Sequence, residues 1–237
     1  MDIIKTIAGA AGRQARGYAM DENRSEGDEK SIEVVRDLEE DIIFGRLAPG
    51  TRLVEDVLME RFDATRHSVR MALSVLARRG IVVKERNKGA AVRALTPDQV
   101  LQVYEVREML HRNAALLIPL PADPAFLAEL EAIQAEHRAA VFEGNVRKVH
   151  ETNDRFHVAM FSGCGNSYLV DSIIHYMNLT LGVRVSRLDE EVGENTTWKE
   201  HDIMISLMRG RDRWALSELC VSHLQASKFH YLSKVGR

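Results

Sequence analysis

Three histidines and an asparagine are the first residues whose types and spacing suggest chemistry. Asn153 and His157 are four positions apart, roughly 400° of helical rotation, so on a helix both project from one face about a turn apart. His201 and His223 follow on two later segments of helical pattern. Imidazole nitrogens suit Zn2+, Ni2+ and similar borderline cations. With nine histidines in the chain, three on helix faces also fit ordinary surface or core positions. Spacing alone leaves both readings open.

A second set of donors sits in DATRHSVRMALSVLARRG, from Asp63 to Gly80. Val69, Ala72, Leu73 and Leu76 recur at helical spacing and make one apolar stripe. Thr65 is placed to cap the helix, and Gly80 to end it where a left-handed residue is needed. Arg66, His67 and Arg70 lie off the stripe, at the front of the helix. One face packs and the N-terminal end offers long donors to an anion, as in a recognition helix entering a DNA major groove.

The rest of the chain must position these groups. It has 237 residues, 45% hydrophobic and 28% charged, enough for one large or two smaller folded units with a sizeable core. Net charge is −3, but the stretch from Arg61 to Arg93 carries nine cations against two anions. Any contact with nucleic acid is therefore local. Two distant cysteines, Cys164 and Cys220, fit a reducing compartment, and no apolar run approaches the ~20 residues of a membrane span. A cytoplasmic protein is expected, with no membrane partner.

Along the chain, residues 1–30 end in DENRSEGDEK and suggest a loosely ordered arm. Ser31 is expected to cap a helix carrying Val34, Val35, Leu38, Ile42 and Ile43, with LAPGTRL as a turn after it. A short helix from Glu55 would hold Val57, Leu58 and Phe62. After Gly80, IVVKERNKGAAVRAL suggests a hairpin with a cationic tip at Asn87-Lys88-Gly89. Three helices and a basic hairpin make a winged helix-turn-helix over residues 31–95. Thr96-Pro97-Asp98 then starts a helix with almost no linker. Val100, Val103, Val106, Leu110 and Leu117 form its stripe, and Tyr104 and Met109 are expected to pack. Helices at 124–142, 146–161, 166–188, 196–208 and 212–232 complete an all-α bundle of about six helices over residues 96–237, with an acidic loop at 189–195. The fold class is mainly α.

GRLAPGTRL, ATRHSVRMAL and NKGAAVR together resemble the DNA-binding domain of GntR-type bacterial transcription regulators, over about Ile32 to Leu95. His67-Ser68 stands where Thr-Pro is common in that family, and Met71 where Glu is common. NxxFHVAMFSGCGN, EHDIMISLMRGR and VSHL resemble the FCD ligand-binding domain of the FadR-like branch, over about Thr96 to Tyr231. That resemblance implies a divalent metal, Zn or Ni, held at Asn153, His157, His201 and His223, with Asn153 a weaker, neutral donor where the family has Asp. It also implies that Arg107 and His111, with Arg184 as a further candidate, face the effector cavity. A buried guanidinium pairs best with a carboxylate.

These expectations describe a regulator, not an enzyme. Thr65, Arg66, His67, Arg70, Lys88 and Gly89 would contact a palindromic double-stranded operator, and a small organic acid would set the affinity of a homodimer, with repression the family habit. Two alternatives remain at this level. His201-Asp202 is an HD dipeptide, as in all-α metal phosphohydrolases. Asp202, however, points about 100° away from His201 on a helix, and no second His-Asp set is present. The other alternative is a DNA-binding protein whose helical domain is purely structural.

Overall fold

The computed structural model describes residues 26–85, 89–186 and 197–235. Among these the chain forms ten helices and three short strands. Helix α1 spans Glu26–Ile43 and starts five residues ahead of the expected cap at Ser31. Ser31 Oγ bonds back to the Asp28 carbonyl at 2.8 Å, as a helix-interior serine does. Ser68 Oγ donates to the Gly27 carbonyl at 3.1 Å, so a tertiary contact holds the extra turn. Helix α2 is Glu55–Phe62 and helix α3 is Arg66–Arg79. Thr65 Oγ1 caps α3 by accepting from the Ser68 amide, and Gly80 ends it at φ +83°.

Strands β1 (Arg52–Leu53), β2 (Val82–Glu85) and β3 (Gly89–Val92) form an antiparallel sheet in the order β1-β3-β2. The sequence suggested only the β2–β3 hairpin. Arg52 and Leu53 lie opposite Ala91 and Ala90 and add the third strand, because β3 would otherwise present an unpaired edge. The core of this winged helix joins Val34, Leu38 and Ile42 of α1 to Leu58 and Phe62 of α2 and to Val69, Leu73 and Leu76 of α3. Val57, expected to pack, is exposed.

Seven helices follow: α4 Pro97–Leu117, α5 Pro124–Phe142, α6 Val146–Ser162, α7 Ser167–Leu179, α8 Leu181–Val185, α9 Thr197–Arg209 and α10 Arg213–Val235. Thr96 opens α4 with a reciprocal capping box to Gln99. The helix expected over 166–188 is broken at Thr180. Thr180 Oγ1 bonds the carbonyls of Tyr176 and Met177, and its backbone leaves helical geometry at φ −100° and ψ 17°. The expected acidic loop lies outside the described residues. Helix α4 keeps only part of its apolar stripe inward: Val103, Val106 and Leu110 are half-buried. Val100, Tyr104, Arg107 and His111 face inward, while Met109 and Leu117 are exposed.

The two halves interlock. Leu181 of α8 is buried in the core of the winged helix, and Gly80 backs onto Leu179. Arg147 of α6 bonds Glu40 of α1 at 3.1 Å. Between α1 and α5–α7 lies a cleft of about 1290 Å3, bordered by Arg79, Arg147, His150, Asp154 and Phe126.

Candidate functional site

At the front of α3, Thr65, Arg66, His67 and Arg70 are all exposed. Arg70 Nε lies 3.0 and 2.9 Å from the two carboxylate oxygens of Glu55. Arg66 Nη2 donates to Asp56 Oδ1 at 2.6 Å. Gly89 is exposed at the start of β3 with φ +82°, a backbone that favours glycine. Lys88 lies outside the described residues. Cationic side chains on one helix end beside a β-wing form a surface suited to a DNA groove and its phosphates.

Inside the bundle, His157 of α6, His201 of α9 and His223 of α10 converge, with one ring nitrogen of each within 4.8 Å of the others. His157 Nε2 and His223 Nε2 are 3.1 Å apart. Neighbours fix two of the tautomers. Gln134 Nε2 donates to the Trp198 carbonyl and to Asp202, which turns its Oε1 toward His201 Nδ1 at 3.1 Å. An amide oxygen only accepts, so His201 Nδ1 carries the proton and its Nε2 is a bare lone pair. A carboxylate oxygen of Glu200 does the same for His223 Nδ1. His201 Nε2 and His157 Nδ1 are buried without a hydrogen-bond partner. Burial, with the crowding of neighbouring imidazoles second, holds His157 and His201 well below the usual imidazole range, so both rings are neutral. Neutral rings oriented by accept-only partners suit a borderline divalent cation. Asn153, one turn before His157, is half-buried and donates from its amide nitrogen to Asp154 Oδ1 at 3.2 Å.

Around the triad are further buried polar groups without partners: Tyr104 Oη, Arg107 Nε, His111 Nε2 and His137 Nε2. Arg107 is 3% exposed, and its one hydrogen bond among the described residues runs from Nη1 to Thr180 Oγ1 at 3.1 Å. Orphaned groups of this kind are costly unless a ligand meets them. Arg184 is committed otherwise. Its guanidinium grips Asp154 through Nη1 and Nη2, at 2.5 and 2.9 Å. Tyr104 packs as expected, fully buried against Val100, Val183 and Leu224, and only its Oη adds to this polar set. Gln134, His137 and Glu200 were not singled out from the sequence. The three-residue spacing of Gln134 and His137 on α5, and the place of Glu200 beside His201, were the available signals. Asp202 turns to Gln134 and to Arg138, away from any pairing with His201.

Comparison with known proteins agrees with this architecture. Residues 30–92 match the profile described as "Bacterial regulatory proteins, gntR family", and residues 102–226 match "FCD domain". The HTH-type transcriptional repressor GlaR of Escherichia coli is 26% identical over 212 residues, covering 82% of this chain and 92% of that protein. The uncharacterized HTH-type transcriptional regulator YdhC of Bacillus subtilis is 23% identical over 193 residues, covering 81% and 86%. Among solved structures, E. coli McbR/YncC superposes with a TM-score of 0.70 at 17% identity, covering 87% of this chain and 98% of that one, a likeness of fold alone. These relatives are regulators and not enzymes, which sets the phosphohydrolase alternative aside. A basic-fronted winged helix locked to a helical bundle with a polar interior is accounted for by one assignment: the chain belongs to the GntR family of bacterial transcription regulators, with an FCD domain behind its DNA-binding domain.

Proposed function

We propose that this regulator binds a palindromic operator as a homodimer in the cytoplasm, and that a small carboxylate effector in the FCD bundle sets its operator affinity, with repression as the ground state. Residues 31–95 act as the DNA-binding unit, joined by the first turns of α1 from Glu26, and residues 96–237 as the effector-binding and dimerising unit. Thr65, Arg66, His67, Arg70, Lys88 and Gly89 contact DNA. Exposed Leu101, Met109 and Leu117 on α4 supply apolar surface for a partner subunit.

The observation that carries the effector site is the convergence of the three histidines together with the buried, unpartnered polar groups of the same bundle. His157, His201 and His223 would hold a Zn2+ or Ni2+ ion, with the Asn153 oxygen a fourth donor. A bound cation would supply an electrophilic anchor for a carboxylate. Arg107 pairs the carboxylate, Tyr104 donates to it, and His111 shapes the cavity beside it. Arg184 serves the site indirectly, by holding Asp154 next to Asn153.

A route for coupling follows from Arg107. Its partner Thr180 breaks the helix ahead of α8, and α8 places Leu181 in the core of the winged helix. An effector that draws Arg107 away from Thr180 would act on α8 and so on the DNA-binding unit. The test is a melting screen of metal ions and organic acids, with and without chelation, followed by operator titration with each hit. An acid that stabilises the metal-loaded protein and shifts operator affinity ~5- to 150-fold supports the reading. Hits that stabilise the protein but leave operator affinity unchanged would limit the bundle to a structural role.

A further inference from the structure

The two recognition-helix arginines meet the first turn of α2 in opposite ways. Arg70 is held by its Nε edge, between both oxygens of Glu55 at 2.9 and 3.0 Å. Its Nη1 and Nη2 have no hydrogen bond among the described residues. Arg66 is held by its fork, with Nη2 2.6 Å from Asp56 Oδ1 and Nη1 3.6 Å from Glu55 Oε2. Glu55 is half-covered and Asp56 open to solvent, with side chains 32% and 74% exposed.

An arginine reads guanine by donating two N–H groups to O6 and N7. Arg70 meets the geometric need for this, because the carboxylate takes only the Nε edge and leaves the terminal pair free. A long side chain held before binding loses less conformational freedom when it binds. Arg66 must release Asp56 before its terminal nitrogens reach a base or phosphate. Two adjacent acids thus have opposite consequences for DNA.

We infer that Glu55 is a positioning residue that presents Arg70 to a guanine in each half-site, whereas Asp56 competes with DNA for Arg66. The inference rests on the assignment of α3 as the DNA-reading helix. If both acids only stabilised the positive N-terminal end of α2, their removal would lower stability without changing base preference.

The experiment uses the full-length protein and a pool of DNA duplexes with a randomised tract. Bound duplexes are sequenced, and each variant is then titrated on the wild-type consensus. Wild type should show one strongly preferred guanine per half-site that Arg70→Ala no longer selects. Glu55→Ala should lose the preference at that same position, keep the others, and bind the consensus about 10-fold more weakly, within the roughly 5- to 150-fold worth of a bidentate contact. Glu55→Gln, whose amide oxygen still accepts from Nε, should retain part of the preference and serves as the reporter if the alanine variant melts early. Asp56→Asn should bind the consensus a few-fold more tightly than wild type. Full guanine preference in Glu55→Ala, or binding by Asp56→Asn no tighter than that of wild type, overturns the inference. If Arg70→Ala selects the wild-type site unchanged, it is the assignment of α3 that fails.

Discussion

Replacing His201 with alanine tests the buried triad most directly. The ring is fully buried, stacks on Phe156 with centroids 4.0 Å apart, and accepts no partner at Nε2. Without metal, the substitution opens a cavity and frees Gln134 Oε1, but it also removes an unpartnered buried nitrogen. These opposed effects leave a net cost of about 2 kcal/mol. With free Zn2+ at 100 times its dissociation constant, the wild type gains about 2.7 kcal/mol from binding to the folded state alone. For a chain of this size that is a rise in melting temperature of roughly 5–11 °C. Two remaining imidazoles bind far more weakly, so the variant should gain about 1 °C or less. Thermal melts of chelator-stripped protein, with and without added Zn2+ or Ni2+, read both quantities. His137→Ala is the control: its ring centroid is 5.2 Å from that of His201, outside the triad, and it should keep the metal-dependent gain. An equal gain in wild type and His201→Ala, or no gain in either, refutes the metal site.

Arg107→Met should raise the melting temperature of the effector-free protein slightly, because a buried guanidinium with only neutral partners, Thr180 and the Tyr104 ring, gives way to an apolar chain; it should abolish stabilisation by organic acids. A drop of more than ~3 kcal/mol in denaturant unfolding would mean that Arg107 is a structural ion-pair partner instead. Asp41 is buried, with Arg46 2.6 Å and Arg61 2.5 Å from its carboxylate oxygens. Burial pushes its carboxyl up, but the two arginines outweigh this and hold it below the usual value. Stability from this group is therefore present above the unfolded pKa near 4 and lost as pH falls through the lower folded value. Asp41→Asn should cost about 1–2 kcal/mol at pH 7, discounted for the half-exposed arginines, and the gap should narrow below pH ~4 in urea titrations. Leu181→Ala should cost about 2–4 kcal/mol and speed hydrogen exchange in α1 as well as in α8, since the side chain is shared by both halves. Exchange confined to α8 would deny it a part in coupling.

Local rules determined much of this protein. Thr65 and Gly80 bound α3, and Thr96 with Pro97 opens α4, because caps depend on one or two residues and a single hydrogen bond. The apolar stripe of Val69, Ala72, Leu73 and Leu76 marks the buried face of α3, since helical periodicity is a property of the segment itself. The donor types at Arg66, Arg70, His157, His201 and His223 were likewise legible, because residue type fixes what an atom can donate or bind. Tertiary structure decided the rest. The helix that the pattern runs through breaks at Thr180, where Arg107, 73 residues earlier in the chain, donates to the Thr180 hydroxyl. α4 buries Arg107 and His111 more deeply than Val103 and Val106 of its own apolar stripe, which only the packing of the other helices around it decides. Glu55 and Gln134 become informative only when folding brings them, across 15 and 67 residues, to Arg70 and His201. Sequence fixes which groups are available over a few residues, whereas the orientation of each group depends on partners supplied by distant segments packed around it.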